Sequence, residues 1–324
     1  MGPIVVWLPM LQDDTYVANS LSVAVRDVAA PTSADVLGAV LVTMPREGST
    51  DLAHGYVVVR PDERGVGIGS ALVAHGEQVA AAAGRTRFVV RSAEAPEPPA
   101  GPGTLTAPTG AGRVSVDAPS SRFALRHGFA FEQVERYSVL QVSSDVVAAA
   151  DELGTQAAQV AGDDYRVHVW HDDVPVEWRA ALAALMARMN TDAPSGAVEI
   201  DEEPWDAERV RDFCEQADHA FQHLTITVAE HVPSRALAAY TIIGSPKVEV
   251  PFSFQEDTLV HADHRGRRLG MLVKAANLAA LHERRPWTER VHTTNAQENE
   301  FMLAINVALG FRAAGVHAVW QKLI

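Results

Sequence analysis

Cysteine is almost absent. Cys214 is the only one in 324 residues, so no intrachain disulfide can form and no thiolate cluster can hold a metal. A reducing, cytoplasmic setting is the expectation, with Cys214 a small buried helix residue. Lysine is nearly as scarce: Lys247, Lys274 and Lys322 complete the set. With a formal net charge of −14, the chain lacks the basic footprint of a nucleic-acid binder. Long apolar runs are missing too, and nothing approaches the roughly 18 uncharged apolar residues of a membrane span. The apolar opening Ile4–Leu8 has no basic stretch before it and lies between Pro3 and Pro9. It reads as a strand, not a signal peptide.

What is present suits a globular protein: 47% hydrophobic and 21% charged residues over a length sufficient for two domains with real cores. One phrase occurs twice, each time after a β-rich run and before an amphipathic helix. The first copy runs Arg64-Gly65-Val66-Gly67-Ile68-Gly69, the second Arg265-Gly266-Arg267-Arg268-Leu269-Gly270. A turn of this kind aims backbone N–H groups and the positive end of a helix dipole at one point, which makes an anion cradle suited to a pyrophosphate. Neither copy has the Gly-Lys-Ser/Thr of a P-loop. In the first, Pro61-Asp62-Glu63 separates strand from glycines, unlike a dinucleotide fingerprint. Recurrence in matching context points to a duplicated unit.

The leading arginine and the glycine spacing resemble motif A of the GNAT superfamily, the acetyl-coenzyme A-dependent N-acetyltransferases. The second copy carries more of the resemblance. Downstream of it, Val291–Phe311 is similar to the family's strand, splay, helix and Gly-Phe turn, with Asn299 eleven residues before Gly310-Phe311. The first half has Gly128-Phe129 but Asp117 at the asparagine position. The resemblance implies an α/β chain, an α+β mixed sheet organised as two tandem GNAT acyltransferase domains, in a layout similar to that of mycothiol synthase-like enzymes. The expected division is 1–143 for a degenerate first domain, 144–162 for a linker helix and 163–324 for a catalytic second domain.

The first half reads as strands at 21–28, 35–43 and 56–59, a helix at 70–83, a strand at 87–92, a mobile loop over 94–112, a helix near 120–127 and a strand at 136–142. Only about 20 residues precede its first strand, so the first domain lacks the N-terminal helices that line the acceptor site in this family. The second half reads β–α–α–β–β–β–α–β–α–β from Tyr165 to Lys322, the order the resemblance implies throughout.

Cofactor contacts carried over by the resemblance are the backbone of Leu259, Val260 and His261, the loop Arg265, Gly266, Arg267, Arg268, Leu269 and Gly270, and Asn295 and Asn299. The first loop (Arg64, Gly65, Val66, Gly67, Ile68 and Gly69) is a second possible holder of coenzyme A. The family's base is commonly nine or eleven residues before the loop arginine, which selects Glu256 and Phe254. Glu256 is the expected base. Asp257 is adjacent but faces the other way unless a bulge re-aims it. The first domain has Gly55 and Ala53 at these positions, neither able to accept a proton. Asn306 replaces the tyrosine that many members use as general acid; an amide donates a hydrogen bond but is no proton source.

Two further patterns are weighed. His219 and His223 have helical metal-ligand spacing but straddle an expected helix end, and a coincidental pair is the simpler reading. The acidic run from Glu199 to Asp218 would attract a cationic amine, or serve as a solvated helix face. The expected function is transfer of acetyl from acetyl-CoA to a primary amine of a small molecule or peptide, by a monomer or homodimer with no nucleic-acid or membrane partner. The alternative is a catalytically silent tandem acyl-CoA-binding scaffold. Aminoglycoside-like, peptide and small metabolic acceptors all remain open.

Overall fold

A computed structural model describes residues 15–189, 198, 201 and 203–324. They form two compact units. The first holds residues 15–135, the residues Val198 and Asp201, and Val316–Ile324; the second holds the described residues from Arg136 to Gly315 apart from those two. This departs from the serial division at 143 and 163. The helix expected as a linker lies wholly in the second unit, and the last strand of the chain lies in the first.

In the first unit the strand order is β1 (Val17–Val25), β2 (Val36–Pro45), β3 (Leu52–Val59), β4 (Arg87–Glu94) and then β13 (Arg312–Leu323). The exchange of the last strand rests on a full antiparallel ladder, from Val316 opposite Glu94 to Leu323 opposite Arg87. Trp320 is completely buried in this unit's core, and its indole N–H donates to Ser92 Oγ at 3.0 Å. Helix α1 (Ile68–Ala82) covers one sheet face with Leu72, Val73 and Ala80. A Cβ on Gly76 would lie 3.1 Å from Val40, so glycine lets α1 sit close to the sheet. The segment expected as a mobile loop contains a hairpin, β5 (Thr104–Thr106) with β6 (Arg113–Ser115), before helix α2 (Pro119–Arg126).

Between β1 and β2 there is only a 3-10 turn, Ser33–Asp35. Among the described residues no helix covers the second sheet face. Cross-strand register places Leu21, Leu41 and Tyr56 in one row, and Val23, Ala39 and Val58 in the next. Leu21, Val23, Tyr56 and Val58 are exposed as a result.

In the second unit the order is β7 (Ala130–Gln141, from Arg136 onward), β12 (Arg290–Ala296), β11 (Phe252–Val260), β10 (Ala236–Pro246), β9 (Gln222–His231) and β8 (Tyr165–His171). Helix α3 (Ser144–Ala161) starts at Ser143, whose hydroxyl accepts from the Val146 N–H. It crosses α6 (Leu269–Arg284) closely: a Cβ on Gly154 would lie 3.0 Å from the Ala275 Cβ. Sandwiched between α3 and the sheet, α6 buries Leu269, Val273, Leu278 and Leu281. The opposite face is covered by α4 (Val176–Met186) and α5 (Ala207–His219), which pack Leu182, Leu185, Met186 and Val210 on Ile226, Val228, Tyr240, Ile242 and Leu259. Cys214 belongs to that core, where burial pushes its thiol up to about 12 and leaves it inert as a nucleophile. Helix α7 (Glu300–Leu309) ends at Gly310 in the left-handed conformation.

Candidate active site

Parallel strands β11 and β12 pair at Phe252–Arg290, Ser253–Val291 and Phe254–His292, and the pairing then stops although both strands continue. The first unit repeats this: β3 and β4 pair from Leu52–Arg87 to Gly55–Val90 and then part. Each unit therefore has a splay leading to its glycine loop.

Strand alternation decides which donors face the splay. The His261 N–H donates to the Ala238 carbonyl at 2.8 Å, so that donor is committed to β10. Two residues back, the Leu259 N–H faces the same way, toward its partner Tyr240. Val260 is the one of the three whose N–H is directed into the splay. In the first unit the Arg60 N–H donates to the Leu37 carbonyl, which leaves Val59 as the counterpart of Val260.

The two loops are built alike. Arg64 Nε donates to the Val59 carbonyl at 3.2 Å, and Arg265 Nε donates to the Val260 carbonyl at 3.3 Å. Gly65, Gly67 and Gly266 have φ of +85°, +98° and +80°, and a Cβ on any of them would meet nothing within 4 Å. The glycines thus serve backbone conformation and leave the cradle open. Gly69 and Gly270 play a different part. Their Cβ positions lie 3.3 Å from Phe123 and 3.0 Å from Ile305, so they seat the helix start against a neighbouring side chain. Ile68 packs at the margin of the first core and Leu269 is buried in the second, leaving only their backbone to the cradle, while Val66 is exposed. Arg268 takes the left-handed conformation at φ +57°, where the first loop has Gly67. That costs about 1 kcal/mol for a non-glycine residue, and the strain is met at the rim of the cradle by a cation. Arg267 stacks over Tyr165 at 5.8 Å.

A β-bulge sets where the two neighbouring carboxylates point. Thr258 pairs with Thr241 and Gln255 pairs with Ile243, so Glu256 and Asp257 together oppose Ile242 alone. The extra residue turns both carboxylates toward the face under α4 and α5. Glu256 Oε1 lies 3.3 Å from where a Gly244 Cβ would be, on the Ile242 side of β10. Asp257 lies beside Tyr240, whose ring is completely buried in the α4–α5 core. The Tyr240 hydroxyl is near enough to oppose the upward shift of Asp257, yet it makes no full hydrogen bond. Burial raises Asp257, and the Glu203 carboxylate adds to that.

The Glu256 residue is exposed at the surface, yet protein atoms crowd its surroundings and displace bulk water. That desolvation, with the Asp257 charge second, raises its pKa to about 7. A carboxylate poised there is half ionised at neutral pH and can accept a proton. In the first unit the β2–β3 register is unbroken from Gly38–Val59 to Thr43–His54. Without a bulge, Gly55 points to the α1 side, where a Cβ would lie 2.4 Å from the Phe88 ring. The space beside the Gly55 position is filled by a core phenylalanine.

Asn306 is buried, and its Nδ2 donates to Asn295 Oδ1 at 2.7 Å while its own Oδ1 has no partner. Asn299 caps α7, accepting from the Met302 N–H at 3.2 Å, so its carbonyl oxygen serves the helix. His219 and His223 do not form a site. His219 ends α5, whereas His223 Nδ1 pairs with Asp172 at 3.1 Å from β9. No cluster of metal-ligating side chains occurs among the described residues, and no helix among them is long and apolar enough to cross a membrane.

The family model of the acetyltransferase (GNAT) family matches residues 9–100. A tandem GNAT protein from the clavulanic acid biosynthesis pathway, solved without acetyl-CoA, superposes with a TM-score of 0.72 at 23% identity, over 98% of this chain and 87% of its own. The chain has a tandem GNAT fold. Its residues 9–100 carry the match to the acetyltransferase (GNAT) family model. A GCN5-related N-acetyltransferase from Sphaerobacter thermophilus is similar at a TM-score of 0.56 and 13% identity, over 89% of this chain and 77% of its own. No curated protein matches the chain in sequence. The family match falls on the half with the more regular glycine loop, whereas the carboxylates at the splay lie in the other.

The open cradle fits an acyl-CoA pyrophosphate, and the unpartnered Asn306 Oδ1 fits a donor from an amide-bearing arm. Gly266→Ala should weaken acetyl-CoA binding several-fold, measured by isothermal titration. Gly162→Ala is the control, because Gly162 has φ +82° and open space around it but lies outside the cradle. Equal affinity in the two variants would remove the loop from the binding site.

Proposed function

We propose that this GNAT protein is an acetyl-CoA-dependent N-acetyltransferase whose chemistry resides in the second unit. The bulged pair Glu256–Asp257 at the mouth of a splay carries this reading, because it sets a carboxylate with a pKa of about 7 beside an open anion cradle. The loop from Arg265 to Gly270 would hold the pyrophosphate through backbone N–H groups and the α6 dipole. Bound acetyl-CoA supplies an activated acyl group and a thiol leaving group. The Val260 N–H is the donor directed at the acyl oxygen. Glu256, directly or through water, takes a proton from the acceptor ammonium and leaves a nucleophilic amine. Asn306 holds Asn295 and moves no proton, so solvent protonates the thiolate. The first unit keeps the cradle but has no base, and serves as a structural partner that can hold coenzyme A.

Asn306 favours the second reading, a scaffold that binds acyl-CoA without turnover. A panel of primary amines with acetyl-CoA and a thiol-release assay separates the two. Release above the hydrolysis background for at least one amine supports the transferase. Binding of acetyl-CoA with no amine-dependent release across the panel supports the scaffold.

A further inference from the structure

Four rings meet beside Glu256. Phe254 and Glu256 share the α4–α5 face of β11, since Phe254 pairs with Gly244 and Gly244 faces the Glu256 carboxylate. Phe254 pairs in turn with His292 on β12, the rings lying 5.5 Å apart. Tyr137, from β7, stacks on His292 at 5.8 Å and an interplanar angle of 11°. Phe252 closes the group, edge-on to Phe254 at 5.6 Å and to His292 at 6.0 Å.

Two details set this group apart from an ordinary core cluster. Phe254 is 43% exposed, so a large ring lies open one strand repeat from the base. The platform is also held rigid and uncharged. The Tyr137 hydroxyl lies 2.6 Å from His292 Nδ1, and burial followed by the Arg290 charge lowers the His292 pKa. A neutral imidazole accepts the hydroxyl proton and does not repel a cation. At the other end of the same face stand Glu256 and Asp257, with Glu203 near Asp257. Aromatic rings at one end and carboxylates at the other are complementary to a flat aromatic group joined by a short linker to an ammonium.

We propose that the acceptor subsite of the second unit selects arylalkylamines, seating the aromatic group on Phe254 and His292 and the ammonium at Glu256. This rests on the transferase reading above and adds the class of acceptor. Fixing the ring places the nitrogen beside the base, so the preference is expected in kcat/KM rather than in acetyl-CoA affinity.

The test uses the full chain with 2-phenylethylamine, 2-cyclohexylethylamine and propylamine as acceptors. The cyclohexyl amine matches the phenyl amine in size and apolarity but lacks a flat π face. The phenyl amine is expected to lead in kcat/KM. Phe254→Leu should reduce that lead by about tenfold, the order expected for lost ring stacking. Equilibrium dialysis of 2-phenylethylamine against protein saturated with coenzyme A gives a readout independent of turnover, and Phe254→Leu should weaken that binding. Equal kcat/KM for the phenyl and cyclohexyl amines, or an unchanged lead in Phe254→Leu, overturns the subsite and leaves the transferase standing. Specific dialysis binding that Phe254→Leu abolishes, with no turnover of any amine, supports the subsite and overturns the transferase. Neither binding nor turnover of the phenyl amine overturns the subsite.

Discussion

Glu256→Gln should lower acetyl transfer by about 10²–10⁴-fold at neutral pH, the usual span for loss of a general base. The substitution preserves shape and hydrogen bonding while removing the proton acceptor. The sign of the pH dependence follows from the shift. Burial and the Asp257 charge raise the Glu256 pKa to about 7, so the active carboxylate is protonated below that value. In the wild type kcat/KM should rise with pH through about 7 and then level until the acceptor ammonium loses its own proton. In Glu256→Gln that acidic limb should vanish, leaving only the limb set by the amine itself. A variant that keeps both its rate and its acidic limb would make Glu256 structural. Asp257→Asn offers a second readout: with the neighbouring charge gone, the limb of the wild-type profile should move to lower pH.

Lys274→Met should stabilise the protein substantially. Lys274 lies on α6, almost wholly buried, with its ammonium 5.6 Å from the Phe311 ring centroid. Burial lowers its pKa from 10.5 to about 7. Above 10.5 the amine is neutral whether the chain is folded or not, and carries no penalty. As pH falls from 10.5 toward 7 the unfolded chain binds a proton that the folded chain does not, and stability is lost. Below about 7 both states are charged and the penalty is constant. At 1.36 kcal/mol per pKa unit its upper bound is about 4 kcal/mol at neutral pH. Methionine keeps an unbranched chain one atom shorter and removes the charge. Denaturant titrations should therefore show a large gain for Lys274→Met at pH 7 that narrows toward pH 10. A gain that does not depend on pH would mean that the lysine costs stability through shape alone.

The strand and helix order, the missing helices of the first half and both glycine loops were legible because each has a local signature: apolar alternation, helical period, or glycine at fixed spacing. Glu256 was reached as a candidate by counting back from the loop arginine. The bulge that brings Asp257 to the same face was not, because a bulge is a property of register against β10 and leaves no mark in the letters Gln255-Glu256-Asp257-Thr258. The fate of the backbone donors is equally a matter of register, which leaves Val260 and commits His261. Asn299 and Gly270 illustrate another limit. Each stands where a ligand contact is expected, but the asparagine caps a helix and the glycine makes room for Ile305. The aromatic platform joins Phe254 to a histidine on β12 and a tyrosine on β7. The alternation of Phe252, Phe254 and Glu256 on one strand was its only sequence trace, and the fold was needed to supply the other two rings.

The exchange of the final strand has a consequence for synthesis. The first unit's core waits for Val316–Leu323, since Trp320 fills its centre and β13 pairs along the whole of β4. On the ribosome the N-terminal half therefore emerges early but closes late, with β4 presenting an unpaired edge while roughly 200 further residues are made. The second unit, complete by Gly315, is able to fold before it. Vectorial order is thus inverted: the half translated last is finished first. Truncation after residue 143 should accordingly yield an aggregating fragment, whereas the same fragment joined through a flexible linker to residues 312–324 should regain solubility.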